Sequence, residues 1–130
     1  MKFALHVTAP PYSSQSHLSA LRFAEALAET DHELTRVFFS GDAVTIANRL
    51  VVTPQGEQDL AQRWRLLADK LNTELIICVS ASLQRGIIDK AESERYEKPC
   101  FTASEPFIIS GLGQLVEACL LADRVITFGH

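Results

Sequence analysis

Residues 74–86 read ELIICVSASLQRG, and the first half of this stretch decides the fold. After its leading glutamate, Glu74–Val79 is an unbroken apolar run of strand length, rich in β-branched residues. Such a run predicts an interior strand of a parallel sheet covered on both faces, because a half-exposed strand alternates apolar with polar residues. Cys78 stands where the run gives way to serines and alanines too small to cover it. Its place at the strand's end, rather than in mid-run, predicts an accessible thiol.

Upstream, Lys2–Ala9 is apolar and is stopped by Pro10 and Pro11, which lack the N–H a sheet ladder uses, so it reads as a first strand. Over Ser16–Glu29 the residues Leu18, Leu21, Ala24, Leu27 and Ala28 recur at helical spacing, with Ser13, Ser14 or Ser16 as caps. Leu34–Ser40 is a second strand by its Val and Phe content, and Gly41-Asp42 ends it before a helical-looking Ala43–Leu50. Leu60, Trp64, Leu67 and Leu71 mark the clearest helix, with Trp64 in its apolar stripe as a core or subunit-contact residue. Residues 89–105 are polar and predict a short helix and a surface loop. Ser110 is placed to cap a helix in which Leu112, Leu115, Val116, Cys119 and Leu120 share a face, so Cys119 reads as a packing residue. Phe107–Ile109 is a candidate short strand and Arg124–Phe128 the last one. Strands alternating with helices predict one α/β domain over 1–130, a three-layer α/β/α arrangement on a mainly parallel sheet of about five strands.

The 130 residues are 47% hydrophobic, enough for one core, and the net charge of −4 argues against a chain that grips a nucleic-acid backbone by itself. No apolar stretch reaches the roughly 18 residues of a membrane span, and no leader pattern opens the chain, so a cytoplasmic location is expected. Cys78, Cys100 and Cys119 lie 22 and 19 residues apart, without a C-x-x-C pair, and His6, His17, His32 and His130 are scattered. Neither a disulfide framework nor a metal site is predicted.

In an open α/β sheet, ligand chemistry gathers outside the carboxyl ends of the strands, where Cys78 lies. If Val79–Leu83 turns into a helix, its first N–H groups favour the thiolate, with Arg85 as a nearby positive charge and Ser80, Ala81 and Ser82 lining a shallow site. The competing reading is a small, inert residue closing a buried strand. Phosphatase chemistry is disfavoured, since six residues separate Cys78 from Arg85 and Gly86 comes after both. A flavin or nucleotide site after the first strand is also disfavoured: two prolines remove amide donors there and no G-x-G-x-x-G is present. The glycines of SGLG, 110–113, read as tight turning and close packing, and His17 and His32 as solvated helix-end residues. Cys100, after Pro99, has no activating partner, and Glu92, Glu94 and Glu97 form a solvated charge run.

With these features in place the chain resembles the DsrE/TusD family of sulfur-relay proteins almost end to end. The resemblance rests on TAPPY at 8–12, HEL-x-x-VFF at 32–39, ICVSASLQRG at 77–86, SGLGQLVEA at 110–118 and DRV at 123–125. It implies a sulfurtransferase whose Cys78 accepts sulfane sulfur as a persulfide and passes it on without a cofactor. It implies TusB-like and TusC-like subunits in a heterohexamer, a TusA-like donor and a TusE-like acceptor. The end product would be 2-thiouridine at the tRNA wobble position, made by a separate RNA-binding enzyme. Sulfur trafficking in dissimilatory sulfur oxidation and a non-catalytic scaffold subunit are the alternatives within the family.

Overall fold

The computed structural model describes residues 1–129, and His130 lies outside them. The elements run β1 (Lys2–Val7), α1 (Gln15–Leu27), β2 (Glu33–Phe39), a 3-10 helix (Gly41–Ala47), α2 (Leu60–Leu71), β3 (Glu74–Cys78), α3 (Val79–Gln84), α4 (Lys90–Arg95), β4 (Ile108–Ser110), α5 (Gly113–Leu121) and β5 (Arg124–Phe128). The five strands form one sheet in the order β4-β3-β2-β1-β5, every pairing parallel. The apolar run of β3 is interior, with β2 on one side and β4 on the other. Among the described residues no helix is long and apolar enough to cross a membrane.

Side chains alternate across the pleat, so each strand serves two layers. Phe3, Val37, Phe39, Ile77 and Phe128 point to the layer of α1 and α2, where Phe3 and Phe128 meet Phe23 and Phe39 meets Trp64. Arg36, Phe38, Glu74 and Ile76 point the other way, and Arg36 reaches Gln114 and Glu117 of α5. The helices start where the sequence offers a cap: Ser14 Oγ accepts the Ser16 N–H, Asp59 the Gln62 N–H and Asp89 the Glu92 N–H. Asn72, at φ 54, closes α2 in the left-handed conformation that asparagine tolerates. Trp64, Phe38 and Phe39 are wholly buried, each contributing about 1.5–3 kcal/mol through burial.

Several sequence expectations are corrected. The helical stretch after β2 is a tight 3-10 helix that ends at Ala47, entered through Gly41 at φ 55. Ser110 does not cap α5; it completes β4 opposite Cys78, and α5 begins behind Leu112 without a side-chain cap. Gly111 and Gly113 have neither a positive φ nor a close neighbour, so no packing requirement selects them. Cys119 is exposed, because α5 lays Ala118 on the sheet and turns Cys119 outward with Leu112, Val116, Leu120 and Leu121. His17 is fully buried: its Nδ1 lies 2.8 Å from the Ala9 carbonyl, and Trp64 Nε1–H donates to its Nε2 at 3.0 Å. It ties the Pro10-Pro11 exit of β1 to α2, a contact that sequence spacing does not reveal.

Candidate functional site

Cys78 is the last residue of β3 and the N-cap of α3, so the strand passes into a helix with no intervening loop. Small Ser80, Ala81 and Ser82 permit that tight exit. It also encloses the thiol more than expected: Cys78 is 5% exposed, flanked by β2 and β4 with Ser110 as its register partner. The correction follows from the topology, since an interior strand has neighbours on both sides even at its end. The sulfur is not walled in by hydrocarbon, however. Its Sγ lies 3.4 Å from the Ser80 hydroxyl, and Ser80 itself is exposed.

The other residues expected near the thiol distribute as follows. Ala81 and Ser82 are buried against the core, and the Ser82 hydroxyl has no hydrogen-bond partner. Helix α3 is only six residues long, and the Cys78 side chain accepts no N–H from it. Arg85 is not brought to the sulfur. It lies seven positions on, about 10 Å along a helix axis. There its Nε donates to Asp42 at 3.0 Å and its Nη1 to the Ala81 carbonyl at 3.0 Å. Arg85 therefore holds α3 against the 3-10 helix that follows β2, and fixes the segment that carries Cys78.

Two residues that sequence reasoning gave no role stand on the strands next across the sheet from β3. Ser40, at the end of β2, and His6, in β1, are joined by a 2.8 Å contact between Ser40 Oγ and His6 Nε2. Half-burial of His6 holds its imidazole below the usual histidine range and so favours the neutral ring. The available signal was a polar residue interrupting an apolar strand, but its meaning depends on which strands are neighbours. Among the described residues no group of three His, Cys, Asp or Glu side chains is gathered as a metal site. Cys100 and Cys119 are exposed.

A thiol at the carboxyl end of a central strand, touched by one hydroxyl, is an arrangement for nucleophilic sulfur chemistry. The DsrE protein of Allochromatium vinosum is 43% identical over 129 residues, covering 99% of each chain. Sulfurtransferase TusD of Salmonella enteritidis is 44% identical over 98% of this chain and 100% of its own. The crystal structure of the ychN protein from E. coli superposes with a TM-score of 0.79 at 28% identity, covering 98% of this chain and 99% of that one. The model of the DsrE/DsrF-like family matches residues 1–128, and the chain belongs to that family.

Proposed function

We propose that this sulfurtransferase works as a persulfide carrier loaded at Cys78. The observation that carries the proposal is the Cys78 sulfur at the carboxyl end of β3 with the Ser80 hydroxyl 3.4 Å away, in a chain whose full-length relatives bear the sulfurtransferase name. The Cys78 thiolate attacks the outer sulfur of a donor persulfide R–S–SH; the Sγ–S bond forms, the donor's S–S bond breaks, and the donor leaves as thiolate with the electron pair. An acceptor thiolate then attacks the outer sulfur in the same way, and Cys78 leaves as thiolate. The Ser80 hydroxyl donates to that thiolate, and such a charge-assisted bond is worth about 1.5–3 kcal/mol.

The relay has the reach of a protein-to-protein handover, from a TusA-like donor to a TusE-like acceptor, with tRNA wobble-uridine 2-thiolation as the end point and the cytoplasm as its place. The apolar outer face of α5, with Leu120 80% exposed, supports TusB-like and TusC-like subunits as neighbours in a heterohexamer. Residues 1–130 act as one domain in this assembly. Sulfur oxidation is the second reading, favoured by the similarity to the Allochromatium vinosum protein. Pull-down of the tagged chain from its own cells, with identification of the co-purifying carriers, separates the two: thiolation partners support the first, sulfur-oxidation partners the second.

A further inference from the structure

Alternation along three adjacent strands places His6, Ser40 and Cys78 on the face of the sheet that carries α5. His6 and Phe38 are register partners whose rings meet edge to face at 6.0 Å. Ser40 prolongs β2 in extended conformation, its N–H donating to the Val7 carbonyl at 2.9 Å, so its side chain follows Phe38 on that face. Phe39 pairs with Ile77, and one residue further the register sets Ser40 abreast of Cys78. β2 is the middle strand of the three and strand neighbours lie about 4.8 Å apart, so Ser40, bonded to His6, sits on the strand between those that carry the imidazole and the thiol.

The carrier reaction gives this row of side chains no part. Cys78 Sγ already has the Ser80 hydroxyl, whereas the outer sulfur of a persulfide stands about 2 Å beyond Sγ and needs its own partner. We propose that His6 is a positioning residue that, through the Ser40 hydroxyl, holds the proton belonging to the outer sulfur of the Cys78 persulfide. The proposal rests on Cys78 being the carrier. On loading, the outer S–H passes its proton to Ser40 Oγ as the Ser40 proton moves to His6 Nε2, leaving a persulfide anion beside an imidazolium. On unloading, the proton returns by the same two bonds and removes the charge that would repel an acceptor thiolate. That thiolate bonds to the outer sulfur, the Sγ–S bond breaks, and the proton leaves with the new acceptor persulfide. No oxidant or reductant is consumed.

The surroundings suit this task. Half-burial favours the neutral His6 ring in the unloaded site, and the negative charge of the persulfide would offset that burial cost once the proton arrives. Of the ionisable groups on this face and the adjoining elements, Arg36 is tied to Glu74 and Glu117, Asp42 is paired with Arg85, Lys2 stands at the opposite end of β1, and Cys119 turns outward on α5.

The test loads the full chain with glutathione persulfide and follows single-turnover sulfur transfer to dithiothreitol between about pH 5 and 8, where histidine titrates. The wild-type rate should pass through a maximum, set by rising acceptor thiolate and falling His6 protonation. His6→Gln and Ser40→Ala should lose the maximum, rise continuously with pH and fall about a hundred-fold at neutral pH, the usual scale of acid–base assistance. Ser40→Thr, which keeps the hydroxyl, should restore the wild-type profile. Variants that keep the wild-type maximum, or lose rate equally at every pH, overturn the proposal. Peptide mass spectrometry of each loaded sample locates the sulfur: on Cys78 with an unchanged profile, only this inference fails, whereas sulfur elsewhere in the wild type overturns the carrier reading with it.

Discussion

Replacing His17 by alanine removes the shared partner of two buried groups, and its cost can be worked from the contacts. Trp64 is wholly buried, so its indole N–H has no water to turn to once Nε2 is gone, and the Ala9 carbonyl loses its imidazole partner as well. Each unsatisfied buried group costs about 1–3 kcal/mol, so the pair costs about 4 kcal/mol before the lost ring contacts with Phe39 and Trp64 are counted. That is a large share of the 5–15 kcal/mol by which a domain is ordinarily stable, and corresponds to a fall in Tm of about 12 °C. Acid should act on the same bond. Burial pushes the His17 imidazole below its ordinary range, outweighing the opposing effect of the Ala9 carbonyl, so the folded chain binds fewer protons than the unfolded one. The His17 contribution is then complete above the unfolded pKa of about 6.5 and is lost as pH falls below it, with half-buried His6 adding the same sign. Urea titrations of both proteins at several pH values measure this. A loss below about 1 kcal/mol for His17→Ala, or an acid sensitivity undiminished in that variant, would refute the reasoning.

Ser80→Ala should slow sulfur transfer by about ten- to a hundred-fold, the kinetic equivalent of one hydrogen bond to a charged sulfur, and leave urea stability unchanged. Arg85→Ala breaks the tie between α3 and Asp42; because that ion pair is partly exposed, stability should change by less than about 1 kcal/mol, while amide hydrogen exchange across residues 79–84 accelerates. Leu120→Asp on the outer face of α5 should leave the isolated chain's stability within about 0.5 kcal/mol and abolish co-purification of partner subunits; unchanged co-purification would remove α5 from the interface.

The parallel sheet was legible because Leu75–Cys78 is apolar at consecutive positions, as a strand covered on both faces demands. The place of Cys78 at the carboxyl end of β3 was legible for a related reason, as the end of that run fixes the end of the strand. What the sequence hid depends on neighbours distant along the chain. Strand order sets Cys78 between β2 and β4 and so buries it; it also decides that His6 and Ser40, 34 positions apart, touch. Helix α5 misled for a different reason: its apolar residues surround the axis, so periodicity alone did not tell that Ala118 faces the sheet and Cys119 faces out. Arg85 sat at a plausible distance in sequence, yet helix geometry carried it away from the sulfur to Asp42.

The most direct measurement is the mass of the cysteine-containing peptides after a brief exposure of the intact chain to an isotopically labelled persulfide donor. One added sulfur atom is expected on the peptide that holds Cys78, discharged on adding an acceptor thiol, and none on those holding Cys100 or Cys119. Label on either exposed cysteine with Cys78 unmodified would contradict it.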